Sequence, residues 1–325
     1  MTIMTDAHVP ITGGVDTHRD VHVAAALYAR GGKLGVRSFP TTPAGHQDLL
    51  DWLRAFGPVE RVGVEGTGAW GAGLTRHLLA AGVAVIEVDR PNRQHRRRAG
   101  KSDPTDALAA ARAAQSGEAA GLAKDRTGAV EAIRTLRVAR RSAQAARRQA
   151  VNQLHSLVTT APVELREQLR DLNGRALVTR TARFRPGIAG DPRNAAKVTM
   201  RALARRVGSL EAEVAELDRL LVPLVATIAP GLVALHAVGT ETAGALLVSA
   251  GENASRLHSE AAFAHLCGVA PIEASSGQVV RRRLNRGGDR QANSALWRIV
   301  LIRMHTCPWP CESPRVWPAK VPALM

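Results

Sequence analysis

Between residues 11 and 120, short apolar runs alternate with helix-like stretches, and several of the runs end on an acid. That alternation restricts the chain more than any other feature, because few layer architectures accept both periods in turn. ITGGVD, VHVAAALYA and GVRSFPTT read as three successive strands, the last two joined by a turn at Gly31-Gly32. Thr42-Pro43 opens a helix carrying Leu49, Leu50, Leu53 and Phe56. RVGVE reads as a buried strand, Leu74, Leu78 and Leu79 mark a helix, and VAVIEV is a further strand stopped by Pro91. Asp103 fits a helix N-cap with Pro104 at the first helical position, and a helix over Thr105 to Gln115 follows. Three strands, then alternating helices and strands, predict a mixed sheet with helices against it, an α/β domain.

The remainder reads as helical. Residues 128–160 predict one long helix, with Arg134, Arg137, Arg141 and Arg148 on one face. Residues 160–200 carry Pro, Gly and Arg without a clear period. Leu210, Val214, Leu217, Leu221, Leu224 and Ile228 then step by alternating fours and threes, the seam of a coiled coil. Two long helices with a connection between them predict a helical hairpin or dimerisation arm; a plain helical bundle fits the pattern equally. In residues 231–306, LHAVGTETAGALLVSAG reads as a helix–turn–helix pair turning at Gly239. A short helix from Glu260 to Cys267, a loop GVAPIEASSGQ, the basic stretch RRRLNRGGDR and a closing helix from Gln291 to Met304 follow.

The chain carries 44 Lys and Arg against 28 Asp and Glu, a formal net charge of +16 that favours contact with phosphates. The excess clusters, in RPNRQHRRRAGK with Arg93, Arg96, Arg97, Arg98 and Lys101, and again at Arg281, Arg282, Arg283, Arg286 and Arg290. Clustered arginine points to nucleic acid rather than to merely solvated helix faces. With one Tyr, four Phe and five Trp, base stacking on aromatics is a minor resource. No apolar run approaches the roughly 18 residues of a membrane span, and the first residues lack a secretory signal pattern. Cys267 stands alone, and Cys307 and Cys311 have no second ligand pair for zinc, so a protein of the reducing cytoplasm is expected.

Two groups of residues can carry chemistry. Asp16 and Glu65 close predicted strands, and Asp103 and Asp106 bracket the start of a helix. Carboxylates gathered at one sheet edge repel each other unless a cation sits among them, and hard oxygen ligands suit Mg²⁺ or Mn²⁺. Taken singly, Asp103 is also a helix cap, Asp106 an ordinary first-turn acid, and Asp16 and Glu65 turn acids. Ser275-Ser276-Gly277 lies just before the second arginine cluster. A hydroxyl held there can attack phosphorus, although Ser-Ser-Gly is also an ordinary turn.

GVDTHRDVHVAAAL, VGVEGTGAWG and KSDPTDALAAARAA resemble the N-terminal domain of DEDD transposases of the insertion sequence 110 family. VGTETAGALLVSAG, HLCGVAPIEASSGQ and RRRLNRGGDRQANSALWRIVLIRM resemble that family's C-terminal transposase domain. The resemblance covers most of residues 11–306. It implies an RNase H-like (RuvC-like) N-terminal domain over residues 1–122, a helical coiled-coil region over 123–230, and a small, mainly helical transposase domain over 231–306. It implies that Asp16, Glu65, Asp103 and Asp106 are the DEDD acids, holding Mg²⁺ or Mn²⁺. It places the family's serine nucleophile on Ser276, with Ser275 as the alternative, in a composite site between subunits. It implies DNA recombination guided by an element-encoded RNA, by a homo-oligomer, dimer or tetramer, assembled through the helical arm. The residues alone leave two other readings open, a water-using junction-resolving metal nuclease and an inactive copy that only binds nucleic acid.

Two departures from the family pattern stand out. Relatives commonly carry glycine where Ala237 stands. The resemblance is expected to stop near Met304, with residues 307–325 a divergent, disordered tail and the chain a truncated or frameshifted copy.

Overall fold

A computed structural model of the chain describes residues 9–88, 102–253 and 256–306. These residues fall in two compact units, one within Met1–Val130 and Ser249–Asn293, the other within Glu131–Val248 and Ser294–Met325. The basic segment holding Arg93, Arg96, Arg97, Arg98 and Lys101 lies outside the described residues, as does the tail from residue 307. Among the described residues no helix is long and apolar enough to cross a membrane.

In the first unit β1 (Ile11–Thr17), β2 (Val21–Tyr28), β3 (Lys33–Pro40), β4 (Val59–Glu65) and β5 (Ala84–Val88) form one mixed sheet in the order β3-β2-β1-β4-β5. β1, β2 and β3 are antiparallel neighbours, and β4 and β5 join in parallel. Parallel pairs need a crossover. The connections are helical: α1 (Pro43–Arg54) leads to β4, and α2 (Ala72–Ala80) leads to β5. At the β2–β3 turn the left-handed Gly31, with φ of 82°, lets Tyr28 and Gly32 pair.

The two faces of the sheet are built differently. On one, Val15, Ala24, Ala26, Val62, Val64 and Val85 pack against Leu49, Leu50, Leu53, Leu74 and Leu78 of α1 and α2. His22 also points to this side, fully buried, and stacks on His46 of α1 at 5.5 Å between ring centroids. On the other face lies α3 (Asp103–Ser116), whose buried residues include Ala107, Ala110, Ala111 and Ala114. Small residues meet there because backbones touch: a Cβ on Gly14 would lie 2.1 Å from the Ala111 nitrogen, and one on Gly63 2.4 Å from the Ala110 carbonyl oxygen. Helix and sheet approach this closely only where both omit bulk.

The same unit closes on Arg256, which donates to the Leu122 carbonyl at 2.7 Å and pairs with Glu87 at 2.9 Å. Glu252 accepts from the Gly128 and Val130 amides, serving orphan donors at the start of α4 (Ala129–Thr160).

In the second unit α4 runs beside a helix longer than the sequence suggests. That helix is α7 (Pro192–Ile228), begun at the Asp191 cap. Arg140 pairs with Asp218 and Arg147 with Glu211, so the register falls on one helix as it rises on the other, and the two are antiparallel. Residues 160–200, which show no clear period in the sequence, hold α5 (Val163–Leu169), α6 (Gly174–Ala182) and the start of α7. Their Leu165, Leu169 and Leu177 join Leu154, Val158, Met200 and Ala204 in one apolar cluster. Helices of one or two turns show no period of their own; the burial is tertiary.

The expected helix pair around Gly239 is corrected. Only the short α8 (Pro230–Val233) and then α9 (Thr240–Ala250) are helical. The left-handed residue between them is Ala237, with φ of 69°, rather than Gly239. Next come α10 (Glu260–Leu266), a hairpin of β6 (Ile272–Glu273) and β7 (Arg282–Arg283), and α11 (Arg290–Thr306).

Candidate active site

Side chains alternate across a strand, so Gly14 and Asp16 share the α3 face of β1, while Val15 enters the core on the other side. The same alternation on β4 sends Val62 and Val64 to the core, and Gly63 and Glu65 to the α3 face. β1 and β4 are in register through Val15 and Val64, which sets Glu65 beside Asp16 at the ends of adjacent strands. The Thr17 hydroxyl donates to the Glu65 carbonyl at 2.7 Å and ties the two strand ends.

α3 delivers the other two acids. Its N-cap is Ser102, in extended conformation, so Asp103 is the first helical residue and not the cap. The expectation of an Asp103 cap is therefore corrected by one position, and its carboxylate is not engaged in capping. It lies 3.5 Å from Nε2 of His18, which is itself 3.1 Å from Asp16 Oδ2. One turn on, Asp106 is buried at 3% exposure, against 8% for Asp16.

Burial pushes the Asp16 carboxyl above its ordinary pKa; His18 beside it opposes the shift, and Asp106 and Asp103 reinforce it. A carboxylate in that setting gains from a cation. The ligand atoms of Asp16, His18 and Asp103 all lie within 4.8 Å of one another. Two carboxylates and an imidazole are a donor set that fits a divalent cation. His18 is the residue that the sequence reading missed. Its signal was available: Asp-x-His at the end of a strand puts both side chains on one face.

The serine segment folds as a hairpin in the same unit. β6 and β7 pair through Ile272 with Arg283 and Glu273 with Arg282, and Ser276 pairs with Val279 across a two-residue turn. Gly277 at the first central position has φ of 56°, which glycine takes without strain. The Ser275 hydroxyl is engaged with the backbone of Arg281, accepting from its amide at 3.2 Å. The exposed Ser276 hydroxyl makes no hydrogen bond among the described residues. Arg281, Arg282, Arg283, Arg286 and Arg290 are all exposed around it in the chain.

Comparison with known families gives two matches. Residues 13–162 match the family model of DEDD transposases of the IS110 type, described as a transposase. Residues 232–313 match that of the transposase IS116/IS110/IS902 family. The second match runs past Met304, where the resemblance was expected to end. A search of curated proteins finds no match.

Proposed function

Because this chain belongs to the IS110 family of transposases, we propose that it cuts and rejoins DNA with an acidic metal site and a serine nucleophile. The observation that carries the reading is the convergence of Asp16 from β1 and Asp103 from α3 on a single imidazole. Asp16, Glu65, Asp103 and Asp106 are the residues that would hold Mg²⁺ or Mn²⁺. A bound cation supplies stabilisation of the negative charge that builds on a phosphate under attack.

The protein's own groups do the rest. The Ser276 hydroxyl, free where that of Ser275 is engaged, is the better nucleophile. Its oxygen forms a bond to phosphorus as the bond to the departing nucleotide oxygen breaks; the serine proton is lost, and the departing oxygen gains one. Rejoining reverses the exchange with a different strand end, so the phosphodiester bond energy is conserved in the serine ester. Arg281, Arg282, Arg283, Arg286 and Arg290, with Arg93, Arg96, Arg97, Arg98 and Lys101 upstream, neutralise backbone phosphates and fix the strand without reading its sequence. Sequence choice then falls to pairing with a guide RNA, as in other guided systems. The antiparallel helices α4 and α7 form the arm through which copies assemble, and residues 1–122, 123–230 and 231–306 act as the nuclease-like, arm and serine segments.

Strand cleavage by the full-length protein, with the element's flanking RNA, donor and target DNA and a divalent ion, tests this. Ser276→Ala is expected to abolish cleavage while salt-dependent nucleic-acid binding persists. Cleavage that survives in a Ser275→Ala/Ser276→Ala double variant but is lost in Asp16→Asn would instead establish a water-using nuclease. Binding without cleavage in the unaltered chain would establish an inactive copy.

A further inference from the structure

His18 belongs to neither the acid set nor the serine hairpin, yet it stands between two of the acids. Its Nε2 is 3.1 Å from Asp16 Oδ2 and 3.5 Å from Asp103 Oδ1. Two ligand atoms about 2.1 Å from a shared ion lie about 3.0 Å apart at a right angle and about 3.4 Å apart at a tetrahedral one. Both distances therefore match positions in one coordination sphere.

The placement is built into the fold. Asp16 and His18 sit two residues apart, on the same side of the chain, while Thr17 between them packs its methyl toward Gly71. The His18 backbone is held by the Thr41 hydroxyl, which donates to its carbonyl at 3.2 Å. The imidazole is 47% exposed, so an ion and its waters can reach Nε2 from solvent.

The structure assigns His18 as a further ligand of the acidic site, and we infer that its imidazole makes the site prefer a first-row transition cation, such as Mn²⁺, over Mg²⁺. This rests on the metal reading of the acids given above. Mg²⁺ holds to oxygen ligands in near-ideal octahedral geometry and keeps its waters. Imidazole nitrogen suits the borderline first-row ions, which accept mixed nitrogen and oxygen shells. Nε2 and Asp16 Oδ2 share a hydrogen bond at 3.1 Å. An imidazole that held the ion through Nε2 would carry its ring proton on Nδ1.

The test is ion binding by the full-length protein without nucleic acid. Titration calorimetry gives the Mn²⁺ and Mg²⁺ affinities, and electron spin echo modulation of bound Mn²⁺ reports a coordinated nitrogen. The unaltered protein is expected to bind Mn²⁺ at least about tenfold more tightly than Mg²⁺, with nitrogen modulation present. His18→Ala and His18→Gln should each lower Mn²⁺ affinity by about tenfold or more, change Mg²⁺ affinity far less, and remove the modulation. His18→Gln keeps a polar side chain of similar reach, so the comparison survives if the alanine variant fails to fold. Ion binding that is lost in Asp16→Asn but keeps its Mn²⁺ preference in both His18 variants would overturn the assignment of His18 and leave the acid site standing. No Asp16-dependent binding of either ion would overturn the metal reading and the inference together.

Discussion

Gly14→Ala tests whether the seat of α3 on the sheet is what assembles the acids. The added Cβ would lie 2.1 Å from the Ala111 nitrogen and 2.3 Å from the Ala107 carbonyl oxygen. Both are helix backbone, which cannot turn aside as a side chain can, so α3 must retreat by about 1 Å or more to restore contact distance. Ala107, Ala110, Ala111 and Ala114, buried against the sheet, lose their packing together. Overpacking of this kind costs about 3 kcal/mol, the upper end of its usual range. Asp103 and Asp106 ride on the first turn of the same helix, so the retreat also pulls them from Asp16. The adjacent Gly13 is the control: its Cβ would meet only side chains, Leu53 at 3.0 Å and Val62 at 3.1 Å. Gly13→Ala should therefore cost about 1 kcal/mol or less, although the strand and its propensity are the same. Urea denaturation gives the two stabilities, and Mn²⁺ titration gives the state of the site. A Gly14→Ala protein as stable as Gly13→Ala, with unaltered ion affinity, would refute the argument.

Two further outcomes follow from backbone and burial. Ala237 adopts a left-handed φ of 69°, so Ala237→Gly should raise stability by about 1 kcal/mol, seen as a higher melting temperature. Burial pushes His22 down to about 4, with His46 and His18 adding to the shift, and its ring nitrogens find no hydrogen-bond partner among the described residues. The unfolded chain then takes up a proton near pH 6.5 that the folded chain refuses until about pH 4. Stability is therefore complete above pH 6.5 and falls as the pH drops through that window, by about 2 kcal/mol between pH 7 and pH 5. Denaturation curves across that range should show the loss, and His22→Leu should reduce it to the share of His46, which burial also holds below its ordinary value; a pH-independent unaltered protein would contradict the burial argument.

The sheet was legible because its strands are short apolar runs, several of them closed by strand-breaking residues at Gly31-Gly32, Pro40 and Gly66. The acids were legible as candidates because strand ends and helix starts can be read locally. What could not be read depends on tertiary partners. Leu165, Leu169 and Leu177 sit on helices too short to show a period, and Met200 and Ala204, their partners, lie on the part of α7 that precedes the heptad seam. Gly14 and Gly63 look like ordinary strand glycines until a helix backbone is found against them. Ser102 and Asp103 both suit a cap, and only backbone conformation separates them. Beyond the Asp-x-His spacing, nothing in the sequence separates His18 from an ordinary exposed histidine; the fold alone places its imidazole between two of the acids.

The most direct test of the central claim is a search for a covalent protein–DNA adduct on a denaturing gel. The full-length protein would be incubated with the element's flanking RNA, its donor and target DNA, and Mn²⁺ or Mg²⁺. A band that disappears in both Ser276→Ala and Asp16→Asn is the predicted result, because the serine ester needs both the hydroxyl and the acids. DNA cleavage without any such band, or a band that persists in Ser276→Ala, would contradict the account.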